Sequence, residues 1–237
     1  MQSDSLLFIR SPLQEAADAL SYIITMALYL KKELDNDAQI FVWEVTETEE
    51  QLMALSSPIP KYELEDLSFI KSEARRREKL AVRALLNEIF EDKVYLGHHD
   101  NGRPYLQNMA TELSIAHTNR FVAIIIHPDE TLGIDIESLD RDFSAVENKA
   151  LSEDEIEDLS ERNKNLHLAI YWCAKEAIYK RMSLHGVDFA EQIELERFSP
   201  DDDGELEATF THKDGIEMDF ELEYMVFENH VMVWVVG

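Results

Sequence analysis

The stretch Gly133-Ile134-Asp135-Ile136-Glu137 alternates between apolar and acidic side chains, which is the period of a β-strand. Because successive side chains of a strand point to opposite faces, Asp135 and Glu137 share one face and the two isoleucines share the other. Two carboxylates on one face, with apolar residues behind them, can form half of an oxygen-ligand site for Mg²⁺. Taken alone, an ordinary half-exposed strand with its acids facing water is the simpler interpretation.

A second stretch, Trp172-Cys-Ala-Lys-Glu-Ala-Ile-Tyr-Lys180, lies in a predicted helix. Trp172, Glu176 and Lys180 follow one another at four-residue intervals along one side, and Lys175 is one step around. A carboxylate flanked by two lysines suits a site that holds both a metal and phosphates. The alternative is a surface glutamate–lysine pair with the tryptophan in the core.

A third feature is a basic helix, predicted from Leu67 to Phe90. Between Lys71 and Arg83 it carries six basic and two acidic residues, a local charge of +4 (6 − 2), in a chain whose net charge is −27. An anionic ligand would be drawn to it, although a solvated helix face is the alternative. Most of these cations lie opposite the apolar side. Arg77 projects toward that side, so it either pairs with a carboxylate or points into a site.

Two shorter segments complete the candidates. Asn101-Gly102-Arg103-Pro104 predicts a rigid turn that carries an arginine. Ser114-Ile115-Ala116-His117-Thr118 ends a predicted strand in two side chains that can donate to a phosphate. A lone histidine at a strand end is more often structural.

The composition narrows the class of protein. Of 237 residues, 45% are hydrophobic and 30% charged, as in globular proteins. The net charge of −27 disfavours nucleic acid and anionic membranes as partners. Cys173 is the only cysteine, the start lacks a cationic signal region, and Leu20–Leu30 is too short to span a bilayer, so we expect a cytoplasmic protein.

The pattern of the remaining chain predicts both helices and strands. A strand at Leu6–Ile9 and a helix from Pro12 to Leu34 are expected first. Phe121–Glu137 is interpreted as a hairpin of two strands. The other predicted elements are strands at Ile40–Val45, Glu112–His117, Glu205–Thr211, Glu217–Tyr224 and Val231–Val236, and helices at Glu49–Leu55, within Phe143–Glu161 and at Asn165–Met182.

In order, these motifs resemble the 4′-phosphopantetheinyl transferase superfamily, specifically its long, monomeric type that activates carrier proteins of peptide and polyketide synthases. That family has a basic helix, a Gly-Lys/Arg-Pro turn, a Ser-His-Ser/Thr strand end, a Gly-Ile/Val-Asp-Ile-Glu strand and a Trp-x-x-Lys-Glu-x-x-x-Lys helix. All five occur here in that order, and the last two are specific in combination. Ala116 departs from the pattern, since the family often has serine there, and the match is thin over the last fifty residues.

The resemblance implies roles for individual residues. Asp135, Glu137 and Glu176 would hold Mg²⁺, with Mn²⁺ as a substitute. A family acid in a Phe-Ser-x-x-Glu segment matches Leu151-Ser152-Glu153-Asp154-Glu155, which points to Glu155. With Lys180 and Glu176 of the helix motif, Glu155 would form the catalytic set. The groups expected to bind coenzyme A are Arg76, Arg77, Arg83, Arg103, Pro104, His117, Thr118, Lys175 and Lys180.

The resemblance also implies a fold and a reaction. We expect an α+β monomer of two similar halves, residues 1–118 and 119–237, related by a pseudo-twofold axis, each with a small, mainly antiparallel sheet packed on a long helix. The reaction would transfer 4′-phosphopantetheine from coenzyme A to a serine of an apo acyl or peptidyl carrier protein, with Mg²⁺, and release 3′,5′-ADP. The alternatives are a non-catalytic metal- or nucleotide-binding protein on the same fold and an acidic interaction protein.

Overall fold

A computed structural model describes residues 27–237. The strand expected at Leu6–Ile9 and most of the helix expected from Pro12 lie outside the described residues. The end of that helix prediction is wrong, because Leu28–Glu33 form strand β1, which pairs antiparallel with the next strand. Its side chains are alternately half-buried and exposed, so pairing imposes a two-residue period where a helical one was expected.

The first half of the fold is a four-stranded antiparallel sheet in the order β1-β2-β6-β5, covered by helices. Its core lies between this sheet and α3, where Leu80 and Leu85 of the helix pack with Trp43 and Ile124 of the sheet. A two-stranded hairpin, β3–β4, precedes β5. The elements are β2 (Gln39–Glu44), α1 (Glu49–Leu55), α2 (Lys61–Phe69), α3 (Glu73–Ile89), β3 (Leu96–His98), β4 (Pro104–Leu106), β5 (Glu112–His117) and β6 (Phe121–His127).

The basic helix is shorter than predicted. The expected helix from Leu67 to Phe90 is two helices, because the chain is extended at Ile70 and α3 starts afresh at Glu73. Ser72 is the N-cap of α3, and its hydroxyl accepts a hydrogen bond from the backbone of Arg75 at 3.4 Å.

The second half is a five-stranded antiparallel sheet in the order β7-β11-β10-β9-β8, packed on the long helix α6. Its edge strand β7 carries the alternating acidic motif. The elements are β7 (Leu132–Ser138), α4 (Ser144–Ala150), α5 (Glu153–Asp158), α6 (Lys164–Met182), α7 (Phe189–Gln192), β8 (Ile193–Leu195), β9 (Asp203–Thr211), β10 (Glu217–Phe227) and β11 (His230–Val236).

The two sheets pack face to face through a shared apolar layer. Ile40 and Ile125 of the first sheet meet Ile134, Ile136 and Trp234 of the second in this layer. The order of layers is therefore helix, sheet, sheet, helix. The α+β class with antiparallel sheets packed on long helices is confirmed, while the pseudo-twofold axis stays a prediction.

The connection between β6 and β7 corrects one expectation. β6 pairs with β2 and β5, whereas β7 pairs with β11, so Phe121–Glu137 is not a hairpin. The turn after His127 leads from one sheet to the other. β6 follows residue 118 and pairs within the first sheet. The expected division into residues 1–118 and 119–237 stays a prediction.

Gly133 allows α6 to lie directly on β7. A Cβ atom at this position would stand 1.9 Å from the carbonyl oxygen of Ala177 in α6, far inside contact distance. The glycine of the acidic motif thus fixes how close the strand and the helix come, and so how their side chains meet.

Among the described residues, no helix is both long and apolar enough to cross a membrane.

Candidate active site at the junction of the sheets

Asp135 and Lys180 are the centre of the site. Asp135 points from β7 toward α6, where Lys180 Nζ donates to its Oδ1 at 2.8 Å and to the carbonyl of Ile134 at 2.8 Å. The same ammonium lies 3.4 Å from the carbonyl of Ile115 in β5, so it joins both sheets. Oδ2 of Asp135 is buried and has no hydrogen-bond partner in the described part of the chain. A buried carboxylate oxygen left this way is costly unless a further group binds it.

Glu137 lies two residues along the same face, as the alternation predicted. Its Oε1 accepts from the Trp172 indole at 3.1 Å and from the Arg141 guanidinium. Arg141 also stacks over the Trp172 ring, 5.3 Å from its centroid. Burial raises the pKa of Glu137, and the charge of Asp135 raises it further. Trp172 therefore contributes a donor to the acidic face and is not merely core.

Glu176 lies one turn before Lys180 on α6 and completes the acidic cluster. Burial, together with the charges of Asp135 and Glu137, raises the pKa of Glu176 to about 7 against the opposing charge of Lys180. The three carboxylates therefore repel one another in a partly buried site, which is the electrostatic condition that a divalent cation relieves.

The three carboxylates are suitable ligands for a metal ion by their chemistry. Their side chains would have to rotate to bind one ion together. All three groups are hard oxygen donors of the kind Mg²⁺ takes, and Asp135 offers an unpaired oxygen. Over residues 27–237, however, no three His, Cys, Asp or Glu side chains converge closely enough to hold an ion. Lys180 engages one oxygen of Asp135, and Arg141 engages one of Glu137.

Glu155 and Lys175 are buried and pair with each other, and their predicted roles stay predictions. Lys175 Nζ lies 2.6 Å from Glu155 and donates to the carbonyls of Phe189 and Ile193. Glu155 also accepts from the backbone of Leu195 at 3.0 Å and closes the capping box that starts α5. Lys175 is 0% exposed and Glu155 3% exposed, so neither reaches a phosphate or a nucleophile in this structure.

A cleft of about 480 Å³ opens beside the basic helix α3. Arg83 forms part of its wall and is buried, donating to the carbonyl of Val94 at 2.7 Å. Its Nε and one terminal nitrogen have no partner among the described residues. Lys79 lies one turn earlier on the same wall, and His117, from the end of β5, also lines the cleft, 3.1 Å from Glu78. Unpaired donors of a buried, planar guanidinium suit an oxyanion such as a phosphate or carboxylate.

A second cleft, of about 220 Å³, lies beside the first and reaches Lys180. Gly102, Pro104 and Ile115 line both, so the two clefts adjoin at these residues and are together called the groove. Arg103 and Lys180 line the second part. The groove thus runs from the buried arginine of α3, past the Gly102–Pro104 turn, to the lysine that contacts the acidic cluster.

Three of the predicted coenzyme A contacts are engaged elsewhere. Arg76 forms a two-pronged ion pair with Glu49, both distances 2.8 Å, and also bonds two backbone carbonyls. Arg77 donates to the carbonyls of Val45 and Glu47, so it neither pairs with a carboxylate nor points into the groove. The Thr118 hydroxyl accepts from two backbone N–H groups and holds the β5–β6 turn.

Sequence reasoning did not single out Lys79, Arg141 or Asn101 as site residues. Lys79 precedes Arg83 by four residues, so helical spacing alone places both on one side of α3. Arg141 had no such signal, because it reaches Glu137 from the loop after β7. Asn101 was considered only as a turn residue, and its bond to α6 crosses 82 residues of sequence.

Comparison with known proteins supports the motif analysis. Residues 131–235 match the family model described as the 4′-phosphopantetheinyl transferase superfamily (ACPS), which is somewhat under half of the chain. The match covers the acidic strand and the lysine-bearing helix α6. No curated protein matches the chain significantly. The predicted resemblance to the superfamily of 4′-phosphopantetheinyl transferases is therefore confirmed over residues 131–235, while the long, monomeric type within it stays a prediction.

Proposed function

We propose that the protein transfers the 4′-phosphopantetheine arm of coenzyme A to a serine of an apo acyl or peptidyl carrier protein and releases 3′,5′-ADP. The observation that carries this proposal is the groove that leads from Arg83 to Lys180, whose ammonium donates to Asp135. Coenzyme A is long and carries phosphates at separate points. Such a ligand needs cations spaced along a groove, with the reacting phosphate near the acidic cluster.

In this proposal, the cations of the groove bind different parts of coenzyme A. Arg83, Lys79 and His117 bind phosphate at the end of the groove beside α3, and Arg103 lies at the turn. Lys180 is at the reacting end, where it neutralises charge on the diphosphate and keeps it aligned with the incoming serine hydroxyl. Little covalent chemistry is required of the protein in phosphoryl transfer beyond this positioning.

The acidic cluster is proposed as the magnesium site. Asp135, Glu137 and Glu176 would hold the ion, with Mn²⁺ as a substitute, and the ion would supply charge neutralisation at the diphosphate. Arg141 and Trp172 both engage Oε1 of Glu137, so its Oε2 is the oxygen left for the ion. The serine proton is not assigned to Glu155, because that carboxylate is buried against Lys175.

The decisive experiment is a mass measurement. The protein is incubated with coenzyme A, Mg²⁺ and an apo carrier protein, and the carrier should gain one phosphopantetheine. Glu176→Gln should abolish the gain. Glu147→Gln is the matched control, because Glu147 is a carboxylate paired with Lys164 away from the groove, and it should retain full activity.

The same experiment decides between the proposal and a non-catalytic binding protein. A protein that binds coenzyme A but adds no mass to carriers of fatty-acid, polyketide and peptide pathways would be a binder. Within the proposal, we also expect a monomer acting in the cytoplasm, which sedimentation and cell fractionation test.

A further inference from the structure

The Gly102–Pro104 turn and the end of α6 are joined by one side chain. Asn101 Nδ2 donates to the carbonyl of Ser183 at 2.8 Å and to its hydroxyl at 2.7 Å. Its Oδ1 accepts from the backbone of Arg103 at 3.1 Å. One amide therefore holds its own turn in shape and ties that turn to the other half of the molecule.

The attachment point on α6 is a specialised position. Ser183 ends the helix in the left-handed conformation, with φ of 55°, which side chains other than glycine adopt less readily. It directly follows the last turn of α6, which carries Lys180 and Arg181. A group bonded to Ser183 is thus held at a fixed place relative to both cations.

Like charges oppose this arrangement. Burial is the main cause that lowers the pKa of Arg181; Glu130 raises it, and Arg103 lowers it again. Arg103 and Arg181 therefore repel each other across the bridge, although Arg103 pairs with Glu112 and Arg181 bonds the carbonyl of Gly237. The bonds from Asn101 to Ser183 hold the turn and the helix end together against this repulsion.

We propose that Asn101 is a positioning residue for the coenzyme A groove, which holds the Arg103 turn against the end of α6 so that Arg103 and Lys180 face one anion. This inference rests on the proposed function. Asn101 and Ser183 both line the narrower part of the groove, so their bond closes its rim. A rim assembled in advance binds its ligand more tightly, because less ordering remains to be done on binding.

The test uses a variant that keeps the turn and removes the bridge. In Asn101→Ser, the hydroxyl can still accept from the backbone of residue 103, as serine does in such turns, but it is too short to reach Ser183. Asn108→Ser is the matched control, because Asn108 is likewise bonded to two backbone groups, of Lys93 and Tyr95, within the first half alone.

Three measurements separate the outcomes. Calorimetry should show that Asn101→Ser binds coenzyme A about tenfold more weakly, because two hydrogen bonds are lost. The control should bind coenzyme A as tightly as the unmodified protein does. Kinetics should show a higher KM for coenzyme A with kcat within about twofold. Hydrogen exchange of residues 99–104, without ligand, should be faster in Asn101→Ser only. Ser183→Ala, which removes one of the two acceptors, should weaken binding about threefold and serves if the first variant fails to fold.

Failure of the inference and failure of the proposed function look different. If the unmodified protein binds coenzyme A and Asn101→Ser binds it equally well, Asn101 has no positioning role and the proposed function stands. If the unmodified protein binds no coenzyme A, the proposed function is contradicted and this inference falls with it. A lower kcat at unchanged KM would also overturn the inference, because it would place Asn101 in the chemical step.

Discussion

At the scale of single residues, the three carboxylates of the acidic cluster repel one another in the folded protein. Glu176 is raised in pKa to about 7 by burial and by its neighbours, so ionising it in the folded protein costs free energy. We expect Glu176→Gln to raise the melting temperature of the metal-free protein at neutral pH, by the equivalent of about 1–3 kcal/mol. The same variant should lose the stabilisation that added Mg²⁺ gives the unmodified protein.

The raised pKa of Glu176 also sets the sign with which the stability of the folded protein depends on pH. Because the folded pKa lies above the ordinary value of 4.5, the folded state binds more protons between these two values, and this group's contribution to stability falls as pH rises through that window. The gain from Glu176→Gln should therefore be largest above pH 7 and vanish below about pH 4.5. Thermal melts across this range without metal check it, and an equal gain at acid pH would contradict it.

Lys175 offers a second prediction at this scale. Its ammonium is fully buried, and its removal leaves the Glu155 carboxylate buried without a counter-charge. We expect Lys175→Met to lower the free energy of unfolding by about 3–5 kcal/mol, measured by denaturant titration. Adding Glu155→Gln should recover part of the loss.

Lys164→Met is the control for this variant. Lys164 lies on the same helix and pairs with Glu147 at 2.7 Å, but half of its side chain is exposed. Its loss should change stability by about 0.5 kcal/mol or less. If Lys175→Met were as stable as this control yet inactive, the role that sequence reasoning gave Lys175, binding phosphate, would be restored.

The sequence could predict these site residues only in part, for a physical reason. Alternation along β7 fixes the shared face of Asp135 and Glu137, and helical spacing puts Glu176 and Lys180 on one side of α6. Whether a charged side chain on that helix faces the groove or the core depends on what packs against it. Lys175 is one residue from Glu176, yet α7 and β8 cover it.

At the scale of elements, Gly133 decides how α6 lies on β7. An added methyl group would meet a backbone carbonyl of α6, which cannot rotate away as a side chain can. We expect Gly133→Ala to destabilise the fold by about 2–4 kcal/mol and to lower activity, because Asp135 and Lys180 are displaced relative to each other. Denaturant titration and the carrier assay measure both effects.

Gly204→Ala is the comparison for that variant. A methyl group at this position in β9 would approach the outer ring atoms of Tyr224, at 2.8 Å, and that side chain can shift. The loss should be smaller than for Gly133→Ala, and activity should be retained. Equal losses in the two variants would mean that the contact between β7 and α6 is not specially tight.

Elements with a strong internal pattern were predicted well, and those defined by distant partners were not. The β9–β10–β11 strands and helix α6 were found because hydrophobic period and turn residues lie within each segment. The predicted β6–β7 hairpin rested on the rule that two adjacent strands joined by a turn usually pair. It was wrong because β7 pairs with β11 of the second sheet instead. That choice is made by an apolar layer formed from residues nearly two hundred positions apart.

At the scale of the whole molecule, the net charge of −27 opposes the proposed ligand. Coenzyme A is a polyanion, so long-range repulsion must be overcome by the cations of the groove. The groove itself includes Glu63 and Glu78, which partner Arg83 and His117 before any ligand arrives. Binding must therefore exchange internal ion pairs for phosphate contacts, and this exchange is sensitive to ionic strength.

Salt should consequently weaken coenzyme A binding, and Lys79 should account for part of the effect. We expect the affinity to fall about tenfold as salt rises from about 0.05 to about 0.5 M, because exposed charges are screened over this range. Lys79→Gln, on the exposed wall of the groove, should bind more weakly at low salt and lose less affinity as salt is added. Lys149→Gln removes an equally exposed lysine from α4 and should follow the unmodified protein. An affinity that does not change with salt would show that the cations of α3 do not act on coenzyme A, whatever else the groove binds.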